Sequence, residues 1–149
     1  MIAIIAEKPS VGQEIARVVG ATEKKDGYIT GNGYMVTWAL GHLVSLALPG
    51  TYGYTRTTAE DLPMLPEPFR LVERQIRTDR GMVTDIAAGR QLKVIDGVFS
   101  ECDSIIVATD AGREGELIFR WIYSHLGCTK LFNCLLYTSP SPRDRQKSR

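Results

Sequence analysis

Two apolar runs, each followed closely by an acidic residue, constrain the fold of this chain more than any other feature. Residues 2–6 read Ile-Ala-Ile-Ile-Ala and precede Glu7, and residues 104–109 read Ser-Ile-Ile-Val-Ala-Thr and precede Asp110. Short runs without polar alternation are typical of strands buried on both faces, as in parallel sheets covered by helices. The sequence therefore predicts an α/β fold in which both acids lie just beyond the ends of buried strands.

A helical pattern follows each run. Ser10 and Gln13 fit a capping box at the start of the first helix, and Gly20 and Gly127 are predicted to end the two helices. Strands that alternate with helices indicate a mostly parallel sheet with helices on its faces. The predicted apolar stripes are Val11, Ile15, Val18 and Val19 in the first helix and Leu117, Ile118, Trp121, Ile122 and His125 in the second.

The middle of the chain is less regular. An Asn-Gly pair within Gly31-Asn32-Gly33 predicts a β-hairpin between residues 28–30 and 34–40. The remaining predictions are an irregular, proline-rich connection at 41–69, a strand at 71–76 and a helix at 84–99.

Composition separates the chain into two parts. Residues 134–149 are rich in Ser, Pro and Arg and carry four basic side chains against one acidic, so residues 1–133 hold a net charge of −2 although the whole chain has +1. The first part has the length of one compact domain. Residues 134–149 are predicted to be a disordered, non-native tail, because they resemble a translated transposase adapter. A natural basic tail is the alternative interpretation.

Several classes of protein are disfavoured. The P-loop pattern for ATP is absent, and the glycines of the hairpin lack the context of a dinucleotide site. The three cysteines show no C-x-x-C spacing and are predicted to be reduced thiols. No apolar run approaches the ~20 residues that span a bilayer, so we expect a soluble, cytoplasmic protein. The net charge of −2 for residues 1–133 argues against a broadly cationic surface, so any nucleic-acid contact is expected to be local.

The two acidic loops carry the chemistry. Ligands bind at the carboxyl ends of strands in open α/β sheets, so Glu7 and Asp110 can meet there if their strands are neighbours. Glu114 lies four residues after Asp110, across a junction between loop and helix. Oxygen ligands without His or Cys favour a hard cation such as Mg²⁺. Lys8 and Arg113 add positive charges beside these acids, which suits phosphoryl transfer.

Each residue also has a purely structural interpretation. The acids Glu7, Asp110 and Glu114 all lie near helix N-termini, where carboxylates cap the helix or interact with its dipole. Lys8 and Arg113 are alternatively solvated charges that pair with nearby acids. His42 fits a turn-holding histidine at least as well as a phosphate contact. It is the convergence of two loops that favours a metal and phosphate site.

Four ordered blocks resemble those of type IA DNA topoisomerases of the bacterial topoisomerase III group. The blocks lie at 4–10, 37–43, 60–66 and 108–116, and the resemblance covers residues 1–130. It implies the Toprim fold, a mostly parallel sheet between helices, for residues 1–133. It also implies an enzyme that cuts one DNA strand with a tyrosine, passes a strand through the gap and reseals it with Mg²⁺ and without ATP. The implied partners are single-stranded DNA and the later domains of the same protein.

The resemblance assigns roles by matching position. Glu7 is expected to handle the proton of the leaving 3′-oxygen and Lys8 to contact the scissile phosphate. Asp110 and Glu114, with Glu7, are expected to hold Mg²⁺. Arg113 is expected to position the DNA or the tyrosine, and His42 is a candidate DNA contact.

Two departures from the family pattern stand out. Gly112 occupies the place of a second aspartate in Asp-x-Asp-x-Glu, so weaker Mg²⁺ binding is expected than in a relative with both aspartates. Neither Tyr123 nor Tyr137 matches the nucleophile by position, so this chain is expected to be inactive alone. A stand-alone Toprim nuclease or primase-like enzyme, or a non-catalytic remnant that binds single-stranded DNA, are the alternatives.

Overall fold

The computed structural model describes residues 1–54, 58–79 and 81–135. Two short 3-10 turns at Pro49–Tyr52 and Ala59–Asp61 join the longer elements. In chain order these elements are β1 (Ile2–Ala6), α1 (Pro9–Val19), β2 (Glu23–Lys25), β3 (Tyr28–Gly31), β4 (Tyr34–Trp38), β5 (Val44–Leu46), β6 (Leu71–Glu73), β7 (Gln75–Thr78), β8 (Gly81–Thr84), α2 (Ile86–Glu101), β9 (Ser104–Ala108), α3 (Arg113–His125) and β10 (Leu131–Cys134).

A six-stranded sheet in the order β10-β9-β1-β4-β3-β2 forms the centre of the fold. The strands β10, β9, β1 and β4 are parallel, and β3 and β2 add antiparallel pairs at one edge. The predicted α/β class with a mostly parallel sheet is confirmed. The register pairs Ala6 with Ala108 and with Trp38, so the two apolar runs are neighbours that end side by side.

The sheet is covered on both faces because side chains of a strand alternate in direction. Ala3 and Ile5 of β1 are fully buried in the core cluster that also contains residues of α2 and α3. Ile4, between them, belongs to the smaller cluster that contains Ala16 of α1. This arrangement explains why the run at 2–6 contains no polar position.

The start of α1 differs from the prediction. The helix begins at Pro9 with Lys8 as its N-cap, and no side chain caps it. Proline suits the first helical position because its missing N–H has no partner there in any case. The capping box predicted at Ser10 is therefore wrong, because Ser10 already lies within the helix.

The buried face of α1 matches the predicted stripe in part, because Ile15 and Val19 pack against the smaller core cluster whereas Val11 and Val18 are exposed. Gly12 and Ala16 are its buried residues, whereas Val18 is 73% exposed. A Cβ atom at Gly12 would lie 2.8 Å from Cε3 of Trp38. The closest approach of the helix to the end of β4 is therefore made by a glycine, because no larger side chain fits at that position.

The predicted hairpin is confirmed. β3 and β4 pair in antiparallel fashion with Gly31 opposite Tyr34, which leaves Asn32 and Gly33 as the turn. Both turn residues have positive φ angles, 50° and 82°. That combination is the one for which Asn-Gly is preferred in two-residue hairpins.

The segment between β4 and α2 contains more strand than predicted. The single strand expected at 71–76 is two strands, β6 paired with β5 and β7 paired with β8, with Arg74 between them. The division occurs because Arg74 bonds its backbone to Leu43 and Asp85 rather than to a continuous partner strand. The helix expected at 84–99 starts later, after its N-cap Asp85, whose side chain accepts a hydrogen bond from Ala87 N.

The described part of the chain reaches into the predicted tail. Cys134 ends β10, and Leu135 N donates a hydrogen bond of 2.8 Å to Val107 O. The rest of that prediction, including Tyr137, falls at 136–149 and lies outside the described residues. Cys102, Cys128 and Cys134 are free cysteines. Across the described residues, no helix has both the length and the apolar character needed to cross a bilayer.

Candidate metal and phosphate site

Glu7, Lys8 and Asp110 meet at the carboxyl ends of β1 and β9. The Lys8 Nζ atom lies 3.9 Å from Glu7 Oε1 and 3.9 Å from Asp110 Oδ2. The two carboxylates therefore share one ammonium group as their neighbour. This convergence follows from the register, because parallel neighbours that end together bring the loops after them to the same edge.

Glu7 is the sheltered member of this group. Its side chain is 15% exposed, compared with 60% for Lys8 and 66% for Asp110. The strand that precedes it, β1, is flanked by β9 on one side and β4 on the other, and Ala39 N donates to Ala6 O at 2.9 Å. The ion pairs of Lys8 are long and its ammonium group is exposed, so they contribute little to stability.

A tight turn after β4 places His42 at the same edge. Leu40 and Gly41 both have positive φ angles, 37° and 73°, and the chain bends there. Nε2 of His42 contacts Oε1 of Glu114, and the His42 ring lies 5.8 Å from the ring of Trp121. His42 and Glu114 thus form a second pair beside the first.

The start of α3 is packed directly on the backbone of Asp110. Gly112 is the N-cap, and its N donates to Asp110 O at 2.8 Å. A Cβ atom at Gly115 would lie 2.2 Å from Asp110 O. Only glycine allows this approach, a role that the sequence analysis missed. Arg113 is exposed at the first residue of the helix.

The donor set fits Mg²⁺ as a water-rich site rather than as a closed cage. Within the described ranges, no three His, Cys, Asp or Glu side chains are grouped so that they could hold a metal ion. The carboxylate of Glu114 contacts the His42 ring instead of forming one group with Glu7 and Asp110. Mg²⁺ is usually held by one or two carboxylates and completes its shell with water and phosphate oxygens. The three-residue ligand set remains a prediction.

The sequence of the chain matches a known family. The sequence profile of the Toprim domain covers residues 2–137. The chain belongs to the Toprim family. It is 44% identical over 131 residues, 85% of the chain, to "DNA topoisomerase 3" of Bacillus licheniformis. Proteins with the same name from Shouchella clausii and Bacillus subtilis are 46% and 45% identical over 80% of the chain.

These relatives are much longer than the chain. The aligned part spans 16%, 16% and 15% of their respective lengths. The Toprim domain described here is therefore homologous to one portion of DNA topoisomerase 3. The expected resemblance to that family is confirmed for the portion that the chain covers.

An ion pair joins the residue between β6 and β7 to the N-cap of α2. Arg74 donates from Nε and Nη2 to Asp85 Oδ2 at 2.9 and 2.6 Å. The Asp85 side chain is only 16% exposed. The Arg74 guanidinium holds the pKa of the Asp85 carboxyl below its usual range, and the hydrogen bond from Ala87 N acts in the same direction.

This pair predicts a pH dependence of stability. A carboxyl with a lowered pKa contributes stability that is present above its unfolded pKa, about 3.9, and is lost as the pH falls through its folded pKa. Asp85→Asn keeps an N-cap for α2 but removes the charge. In urea denaturation, the stability difference between wild type and variant should be largest near neutral pH and should shrink below about pH 4. A difference that stays constant down to pH 3 would contradict this assignment.

Proposed function

We propose that this chain is the metal-binding Toprim part of a type IA DNA topoisomerase. Such an enzyme cleaves one DNA strand, passes a strand through the gap and reseals it, without ATP. The observation that carries the proposal is the meeting of Glu7, Lys8 and Asp110 at one end of the parallel sheet. The name shared by the three relatives supports the same activity for a longer protein that contains this domain.

Glu7 and Lys8 are proposed to act on the reacting phosphodiester. The carboxyl group of Glu7 is sheltered from solvent, which suits a group that gives its proton to the leaving 3′-oxygen when it is protonated and, as the resulting carboxylate, takes the proton back on resealing. The Lys8 ammonium is more exposed and lies 3.9 Å from an oxygen of each of two acids. A phosphate that binds beside Glu7 and Asp110 would meet the positive charge of Lys8, which would offset charge that develops on the phosphate oxygens.

Asp110 and Glu114, with Glu7, are proposed to hold Mg²⁺ when DNA is bound. A bound Mg²⁺ would supply positive charge to the phosphate oxygens. Glu114 contacts His42 in this structure, so it would have to share or exchange that contact to reach the ion. Arg113, exposed at the start of α3, and His42 are proposed to contact single-stranded DNA at the rim of the site.

The nucleophile is proposed to lie outside this chain. Tyr123 is partly buried, and its hydroxyl donates to Lys130 O at 2.8 Å, within the packing of α3. Its ring packs against Phe119 and Phe132 in the core cluster that contains residues of α2 and α3. A tyrosine held in this way has a structural role in the core, so we expect strand cleavage to require a tyrosine from further domains.

A chimera tests the proposal. Residues 1–130 of this chain would replace the aligned region of the Bacillus subtilis relative, which is 45% identical. The chimera should relax negatively supercoiled plasmid in the presence of Mg²⁺. Glu7→Gln and Asp110→Asn should each lower the rate by at least about a hundredfold, the range expected for loss of acid–base or charge-stabilising groups. Glu14→Gln, an exposed glutamate of α1, is the matched control and should leave the rate unchanged.

The 149-residue chain alone gives a second result. It should neither cleave single-stranded oligonucleotides nor relax plasmid at any Mg²⁺ concentration. Metal-dependent cutting by the chain alone, lost in Asp110→Asn, would favour a stand-alone nuclease instead. A folded but inactive chimera would leave only a role in binding DNA, and would overturn the topoisomerase proposal.

A further inference from the structure

We infer that Arg74 is a positioning residue that holds the turn at residues 40–43 and, through it, orients Glu114 beside the candidate site. No sequence motif of the site includes this arginine. The inference deepens the proposed function and rests on it, because that function gives the held turn its significance. The arrangement itself is carried by the contacts of Arg74.

The guanidinium of Arg74 bridges the turn and the N-terminus of α2. Nη1 donates to Leu40 O at 3.3 Å and to His42 O at 3.1 Å. The opposite side of the same group donates to Asp85 Oδ2 from Nε and Nη2. A planar fork with several fixed donors can satisfy these acceptors together, which a single ammonium cannot do.

The backbone of Arg74 holds the same turn from a second direction. Arg74 N donates to Leu43 O at 2.8 Å, and Arg74 O accepts from Asp85 N at 2.8 Å. One residue therefore binds the carbonyl groups of Leu40, His42 and Leu43. Since Asp85 caps α2, the turn is tied through Arg74 to a helix whose inner face is packed in the core.

The turn needs such support because its backbone is in an uncommon conformation. Leu40 has a φ of 37°, in the left-handed region that non-glycine residues rarely adopt. Residues in this region persist where surrounding contacts fix them. The bond from Arg74 to Leu40 O is a contact of that kind.

The supported turn reaches the site at two points. Gly41 N donates to Glu7 O at 3.5 Å, which connects the turn to the end of β1. His42 contacts Glu114 with its side chain, which connects the turn to the start of α3. Arg74 has its own polar contacts with Leu40, His42, Leu43 and Asp85, so it acts on Glu114 through His42.

The test measures how strongly His42 senses Glu114. The chain has two histidines, so the ring ¹³C–¹H signals of His42 and His125 are readily separated by NMR. In the wild-type background, Glu114→Gln should displace the His42 signal. In an Arg74→Lys background, which keeps a positive charge near Asp85, that displacement should be about threefold smaller because the turn is no longer held. The His125 signal should stay in place in both backgrounds.

Two further variants make the result decisive. Arg17→Lys changes an exposed arginine that also binds one carboxylate, Glu14, through two nitrogens, and it should leave the His42 response at the wild-type value. Asp85→Asn weakens the anchor of Arg74 and should reduce the response in the same direction, so it carries the test if Arg74→Lys does not fold. A full His42 response in a folded Arg74→Lys or Asp85→Asn protein would overturn the inference.

The chimera separates this inference from the proposed function. There, Arg74→Lys should lower kcat roughly tenfold with little change in KM, as expected when a positioned group is displaced and substrate binding is kept. An inactive wild-type chimera would refute the proposed function while the NMR response still reports the role of Arg74. An active chimera whose kcat is unaffected by Arg74→Lys would refute the positioning role alone.

Discussion

Replacing Gly115 by alanine should lower the free energy of unfolding by about 2 to 3 kcal/mol and displace Asp110 from Lys8. The added Cβ would lie 2.2 Å from Asp110 O and 2.8 Å from Asp110 N. Both are main-chain atoms, so no side-chain rotation relieves the overlap. Either the loop after β9 or the first turn of α3 must move, and Asp110 is at the point of contact. Urea denaturation measures the first effect.

The matched control is the same substitution in an open part of another helix. Gly97 lies on the exposed side of α2, and a Cβ atom there would meet nothing within 4 Å. Alanine is favoured over glycine in a helix interior by up to about 1 kcal/mol, so Gly97→Ala should stabilise the protein. Opposite signs for the two substitutions isolate the close approach at Gly115. A stabilised Gly115→Ala protein would show that α3 does not pack on Asp110 in this way.

The displacement of Asp110 has its own measurement. In the chimera, Gly115→Ala should reduce the relaxation rate by at least about tenfold, because shifts of an ångström in a positioned group are costly to catalysis. Gly97→Ala should leave that rate unchanged. A destabilised Gly115→Ala chimera that retains the full rate at a temperature where it is folded would separate the packing role of Gly115 from the geometry of the site.

The central strands of the sheet were predictable because the sequence of each strand is sufficient to identify it. The runs that became β1 and β9 contain almost no polar residue, and only a strand covered on both faces needs such a sequence. Their adjacency places Glu7 near Asp110, as the loops suggested. The hairpin was also predictable, because Asn32-Gly33 favours one type of turn whatever lies around it.

The structure differs from the prediction where distant segments decide the outcome. The exposed position of Val18 follows from the close packing of Gly12 on Trp38, which no helical period reveals. The break between β6 and β7 follows from the bonds of Arg74 to residues more than ten positions away along the chain. Contacts of this kind depend on the assembled fold, so propensity and periodicity within one segment cannot reveal them.

In the candidate site, too, some features follow from local sequence and others depend on contacts between distant segments. Strand ends and acidic loops predicted that Glu7, Lys8 and Asp110 would converge, because topology alone brings them together. The contact between His42 and Glu114 joins residues 72 positions apart and depends on the left-handed turn at Leu40. The glycine-rich character of the loop at 110–116 was a usable signal for Gly115, since a glycine in the first turn of a helix requires a reason.

Gly112→Asp should tighten Mg²⁺ binding by roughly tenfold, because each added carboxylate raises the charge of a site that otherwise relies on water. The position accepts the change. Gly112 has a φ of −147°, which any residue adopts, and a Cβ atom there would meet nothing within 4 Å. The residue is also two positions from Asp110, on the same loop. Isothermal titration of the chain with MgCl₂ measures the affinity directly.

Gly112→Asn is the control that separates charge from capping. Gly112 is the N-cap of α3 and provides no side-chain cap, so both aspartate and asparagine would stabilise the helix in the same way. A higher affinity caused by a firmer helix would therefore appear in both variants, whereas an added metal ligand would appear chiefly in Gly112→Asp. If the aspartate variant bound Mg²⁺ no more tightly than wild type, its carboxylate would be occupied in capping α3, and Gly112 would not mark the place of a missing ligand.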